Sequence, residues 1–197
     1  MLARTPRALA TGLAALAGLL LTACGSDGTA ASSEAAPYTE VAAPTLEPGD
    51  AVPAPVEDVV LTISGDISTT NVGDTLQLDL PTLERLGLVE YSVDDQQAEG
   101  RVAMFRGPLM STLLKVAGAG DGATTLRSRA LNDYEVDIPI SDVERYPVLL
   151  ATSVDGERMP VDSYGPIRVI YPYESFDIDP VVHDPLWIWQ LASIDVR

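Results

Sequence analysis

The chain has 197 residues, with 29 acidic and 12 basic side chains, a formal charge of −17 and a single cysteine. One thiol excludes an intramolecular disulfide framework and a Cys-rich zinc site. The acidic surplus excludes a nucleic-acid binder, since phosphate binding needs a concentrated Lys/Arg surface, and a hydrophobic fraction of 46% excludes a wholly disordered chain.

Residues 1–24 read as an export signal. Arg4 and Arg7 form a positive start, and Ala8 to Leu21 is an uncharged Ala/Leu-rich run. That run is short for a bilayer span, which needs about 20 apolar residues, and suits a secretory h-region. It closes on Leu21-Thr22-Ala23-Cys24, followed by Gly25-Ser26, which resembles a bacterial lipobox. The resemblance implies that Cys24 is thioether-linked to diacylglycerol and becomes the new N-terminus. Two or more acyl chains hold a protein stably, each buried methylene adding ~0.8 kcal/mol. The expected state is therefore a domain tethered through Cys24 to the bacterial membrane, outside the cytoplasm. Arg4 and Arg7 are separated by Thr5-Pro6, so there is no twin-arginine pair, and export is expected in the unfolded state.

Residues 25–58 are rich in Ala, Pro, Ser, Thr and Gly, with seven acids and no base. They show no apolar period of 2 or 3.6 and are expected to form a disordered, self-repelling spacer. Residues 59–197 keep 22 acids and 10 bases, a net of −12. They form the expected folded domain.

Within it, Val59–Ser64 and Thr75–Leu80 alternate as half-buried strands do. Pro81 to Gly87 reads as a short helix with Pro near its start and Gly past its end. Val89–Val93 and Arg101–Phe105 follow as strands, and Pro108–Ala117 as a helix with Leu109, Leu113, Leu114 and Val116 on its apolar face. Further strands are expected over Thr124–Leu131, Glu135–Ile140, Val148–Ser153, Ile167–Tyr171 and Trp187–Val196. Ser141 and Glu144 fit a capping box, and Asp155-Gly156 fits a hairpin turn. Trp187 and Trp189, two apart on the last strand, are expected to face one side. The pattern is a strand-rich α+β mixed-sheet domain with short helices.

Local motifs for chemistry are few. His183 is the only histidine, which excludes a His–His metal pair and a Cys–His nucleophile; it reads as a loop residue bonded to a neighbour. Gly118 to Gly122 lacks the lysine of a phosphate loop and the dinucleotide fingerprint. Asp177, Asp179 and Asp184 do not match an EF-hand spacing and read as surface carboxylates.

The order of landmarks resembles the molybdopterin-binding domain of the sulfite-oxidase-type oxidoreductases. The carriers are Leu61-Thr62-Ile63-Ser64-Gly65, Phe105-Arg106-Gly107-Pro108-Leu109, Asn132-Asp133-Tyr134, Ile138-Pro139-Ile140, Asp155-Gly156, Gly165-Pro166-Ile167 and Trp189-Gln190-Leu191. The resemblance implies a fold of that type and, in active members, a cysteine thiolate on molybdenum. Here the corresponding stretch lies near Tyr91-Ser92-Val93-Asp94, and the one cysteine is Cys24. A neutral serine hydroxyl is a poor substitute for a soft anionic ligand. Bound molybdopterin is therefore implied by the resemblance alone, and no resident cofactor is expected.

By the same resemblance, Ser92, Arg106, Arg127, Arg129, Asn132, Asp133, Tyr134 and Arg168 are candidates for a ligand groove. If they converge, they make a small anion-binding cleft; otherwise Asn132-Asp133 makes a turn and the arginines pair with surplus carboxylates. The expected function is a membrane-anchored ligand-binding, sensory or accessory module. A molybdopterin-dependent oxidoreductase and an electron-transfer or assembly subunit docking a basic partner stay open as alternatives.

Overall fold

The computed structural model describes residues 37–95 and 100–197; the export signal, Cys24 and residues 25–36 of the spacer lie outside the described residues. In chain order the strands and helices are β1 (Thr39–Ala42), β2 (Val59–Gly65), β3 (Leu76–Asp79), α1 (Leu80–Glu84), β4 (Leu88–Asp95) and β5 (Arg101–Gly107). After them come α2 (Met110–Ala117), β6 (Thr125–Ala130), β7 (Glu135–Pro139), α3 (Ile140–Arg145), β8 (Leu149–Ala151), β9 (Ser153–Val154) and β10 (Glu157–Arg158). The chain closes with β11 (Arg168–Ile170), α4 (Pro180–His183) and β12 (Leu191–Val196).

One sheet has the order β1-β4-β5-β9-β10 and a second β3-β2-β12-β6-β7, with β8 and β11 forming a two-stranded ribbon. The β2–β12 pair is parallel and the other pairs are antiparallel, which makes the second sheet mixed. Alternation explains the layering. Along β4, Tyr91, Val93 and Asp95 are buried while Glu90, Ser92 and Asp94 look outward. Leu61 and Ile63 of β2, Leu126 of β6 and Ile194 of β12 are fully buried, each contributing about 1.5–3 kcal/mol of apolar transfer energy. All residues of β8 and β11 are buried, so their run is apolar throughout except for Arg168.

The ribbon crosses β5 at Gly107. A Cβ there would stand 2.0 Å from the Leu150 carbonyl oxygen, so any side chain would push β8 off the sheet. The expected strand over Val148–Ser153 is consequently split at Thr152, whose N–H donates to the Arg106 carbonyl at 2.8 Å. The Asp155-Gly156 turn has φ of +50° and +86°, the signs a type I′ hairpin requires.

Four expectations need correction. Residues 37–58 are part of the folded unit. Strand β1 pairs with the edge of β4, the amides of Thr45 and Leu46 donate to the Arg85 carbonyl at 2.8 and 3.0 Å, and Leu46 and Val52 are buried. Edge pairing by backbone and two isolated apolar plugs leave no period to read. Second, helix α3 begins at Ile140 with Pro139 at its N-cap and no side-chain cap bond. Ser141 is thus inside the first turn, and the capping box does not form. Third, β12 begins at Leu191: Gln190 has φ of +51°, which breaks extension, so Trp187 and Trp189 precede the strand. Fourth, Leu109 is only partly buried, and Met110 joins Leu113, Leu114 and Val116 on the inner face of α2. Among the described residues no helix is long and apolar enough to cross a membrane.

Candidate functional site

The candidate groove residues separate into four places. Ser92 and Arg106 lie on the outer face of the first sheet, where Ser92 opposes Met104 and Arg106 opposes Glu90. The Ser92 hydroxyl meets the Met104 thioether sulfur at 3.6 Å, and Arg106 donates to Glu90 Oε2 through Nε at 2.9 Å and Nη2 at 2.7 Å. Arg127 and Arg129 project from the outer side of β6. Arg127 forms a two-pronged pair with Asp137 at 2.8 and 3.0 Å, which holds the Asp137 carboxyl below its ordinary range. Arg129 pairs with Asp133 at 2.6 Å and reaches Glu135 at 3.8 Å.

Arg168 is interior, with 2% of its surface exposed. Its Nη1 and Nη2 donate to the two oxygens of Asp95 at 3.0 and 3.1 Å. Its guanidinium lies 5.1 Å from the ring centres of both Phe105 and Tyr164. The arginines therefore do not converge on one cleft; each meets a carboxylate.

Asn132 and Tyr134 do share a cleft, of about 260 Å³. They belong to the turn between β6 and β7, where Asp133 takes φ of +67° and the Tyr134 amide donates to Asn132 Oδ1 at 3.1 Å. This is the local turn chemistry of an Asx residue. The opposite wall is the segment from Asp184 to Trp189, with Ile188 and Ala130 also lining the cleft. Pro185 accepts from the Tyr134 hydroxyl at 2.9 Å and so ties the two walls together. Backbone bonds fix the second wall: the amides of Val169 and Gln190 donate to the carbonyls of Ile188 and Tyr164 at 2.9 and 3.0 Å.

Each aromatic ring of the cleft has its own support. Trp187 stacks on Tyr173 at 5.4 Å and 13°, and Trp189 meets Tyr164 edge-to-face at 4.7 Å. Trp187 is buried, whereas Trp189 and Tyr134 are 40% and 44% exposed. The Tyr173 hydroxyl donates to Asp184 Oδ1 at 2.7 Å. Burial, and then Asp184, push that hydroxyl well above the usual phenol range, so it remains a donor. The Trp187 indole N–H makes no hydrogen bond of ordinary geometry to a described residue, although it lies near enough to the Tyr173 hydroxyl to oppose part of that rise.

The residues that the sequence reading did not assign to this site are Asp184, Pro185, Trp187 and Trp189. The local signal was two tryptophans two apart behind an Asp-Pro step, which reads equally well as the flank of a buried strand. His183 closes α4 and points elsewhere. Its Nδ1 lies 3.0 Å from the Asp179 carbonyl and its Nε2 3.4 Å from Asp142 Oδ2, with its ring against Tyr146 and Tyr171. Asp179 N-caps α4 by accepting from the Val181 amide at 3.0 Å. Among the described residues no three His, Cys, Asp or Glu side chains gather where one metal ion would sit.

This architecture, two strand-rich sheets of which one is mixed, with a few short helices, is the sulfite-oxidase-type molybdopterin-binding fold. The family model for the oxidoreductase molybdopterin binding domain matches residues 72–176, and the chain belongs to that family. Among solved structures, sulfane dehydrogenase SoxCD from Paracoccus pantotrophus is similar in fold, with a TM-score of 0.53 and 16% identity. The likeness covers 69% of this chain and 37% of that one. The sequence matches no curated protein. The family match takes in Asn132 and Tyr134 but ends before Asp184, Trp187 and Trp189, so five of the eight residues lining the cleft lie beyond it.

Proposed function

We propose that the chain is a lipid-anchored, extracytoplasmic binding module that uses the molybdopterin-binding fold without the metal chemistry. The observation that carries this reading is on the outer face of β4. Where active relatives are expected to supply a thiolate, the chain offers Ser92, and that hydroxyl is turned onto a methionine sulfur. Three features support it. The one cysteine lies at position 24, outside the family match. Arg106, Arg127, Arg129 and Arg168 are each committed to a carboxylate, so none of these candidate groove arginines is held ready for the phosphate of a pterin cofactor. The sole histidine is packed against Asp142. The donor set does not fit molybdopterin with its metal. What the fold retains is an aromatic cleft of 260 Å³, and a tether would hold that cleft at the membrane surface through Cys24.

A bound cofactor raises the melting temperature of the protein that holds it, because it binds the folded state alone. The full chain isolated from membranes of cells able and unable to make molybdopterin is expected to melt at the same temperature. A higher melting temperature from the competent cells overturns the reading.

A further inference from the structure

The aromatic cleft carries a statement about its ligand, which rests on the reading of the domain as a binding module. We propose that it takes the headgroup of a small organic cation, of the quaternary-ammonium class. Size comes first: 260 Å³ is below the roughly 300–1,000 Å³ of ordinary ligand pockets, so the cleft admits a headgroup and not a dinucleotide or a large cofactor.

Charge comes second. The one charged side chain lining it is an acid, Asp184, and no lining residue is cationic. The nearest arginine in sequence, Arg129, is held by Asp133. The chain carries a charge of −17, which concentrates cations near such an opening and repels anions.

The third point is the chemistry of the wall. Tyr134 and Trp189 are large rings with open surface, and a cation over an aromatic face is attracted by the ring quadrupole, most strongly by Trp. Tyr164, Tyr173 and the Pro185 carbonyl hold Trp189, Trp187 and Tyr134 respectively, so little ordering is lost on binding. A sugar would ask for several free hydrogen-bonding groups. Here the Tyr134 hydroxyl, Asn132 Oδ1 and Asp184 Oδ1 are already engaged, and the Trp187 indole N–H, which has no partner of ordinary geometry, is covered from solvent. A quaternary ammonium asks for none.

The test uses the fact that the chain has two tryptophans and both line this cleft, so emission excited selectively through tryptophan reports on it alone. The full chain, made in cells that cannot synthesise molybdopterin, is titrated with choline and with tetramethylammonium, and in parallel with inorganic phosphate and glucose. That source keeps the test independent of the cofactor question. Expected is a saturable change with both cations, weakened by salt, and none with phosphate or glucose. Trp189→Ala is expected to weaken choline binding roughly tenfold by calorimetry. Asp184→Asn, which keeps an oxygen for the Tyr173 hydroxyl, is expected to weaken it about fivefold without change in the melting temperature. No saturation by either cation up to about 50 mM, well above a millimolar dissociation constant, overturns the proposal. So does saturation by phosphate or glucose instead, or choline binding that is untouched in Asp184→Asn.

Discussion

Replacing Arg168 by methionine tests whether the interior arginine is structural. The guanidinium is bidentate on Asp95 at 3.0 and 3.1 Å and lies over two rings, with 2% of the residue exposed. Methionine keeps most of the volume and loses the charge, which leaves Asp95 buried opposite an apolar group. Breaking a buried pair in this way costs about 3–5 kcal/mol. For a domain of this size each kcal/mol lowers the melting temperature by about 2–4 °C, so Arg168→Met should melt ~10 °C lower in a thermal scan followed by circular dichroism. Removing both charges, as Arg168→Met with Asp95→Leu, removes the uncompensated ion and should return the stability to within about 2 kcal/mol of the parent. A single variant that costs less than about 1 kcal/mol would refute the reasoning. So would a double variant whose loss equals the sum of the singles, since the two side chains would then not be acting on each other.

Three other outcomes follow from particular contacts. Asp79 accepts from the amides of Thr82, Val56 and Glu57 at 3.0, 2.9 and 3.2 Å. The side chain is covered but lies just beneath the surface, and bonds from the Thr82 side chain and from these amides draw its pKa down to about 2. A depressed folded-state pKa gives stability that is present above pH ~4 and lost as pH falls toward ~2, about 1–2 kcal/mol after allowance for solvent screening. Asp79→Ala should therefore be less stable than the parent at pH 6 in urea, and the gap should narrow between pH 4 and 2; a gap independent of pH contradicts the assignment. Leu46→Ala should cost about 2–4 kcal/mol in the same assay, whereas a residue in a solvated spacer would stay within about 0.5 kcal/mol. Cys24→Ala should move the exported chain from the membrane fraction to the soluble one, because the acyl chains are the expected anchor; retention in the membrane would remove the lipobox argument.

The parts of the fold that could be read from the sequence are those whose cause is local. Leu61 and Ile63, or Tyr91 and Val93, show their burial by alternation, and Asp155-Gly156 announces its turn through the two residues that tolerate positive φ. The parts that could not be read depend on distant partners. Arg168 looks like any other exposed arginine until Asp95, 73 residues away, is placed against it. Strand β1 is composed like a spacer because it contributes backbone to an edge and buries no side chain of its own. Pro139 sets the start of α3 through its own extended backbone, and so displaces a cap motif that is correct in composition. The family resemblance points to Asn132 and Tyr134, while the apolar run around Trp187 and Trp189 reads as a strand that Gln190, at φ of +51°, does not allow to begin so early. The cleft is the meeting of two segments about fifty residues apart, and neither contains the information that the other is there.

The central claim is that this fold, in this chain, works without a metal. Its most direct test is the molar ratio of molybdenum to protein in the full chain isolated from its native membrane. The account predicts molybdenum at background level in folded protein, because β4 presents Ser92 and the candidate arginines are each paired with an acid. One molybdenum per chain would contradict it.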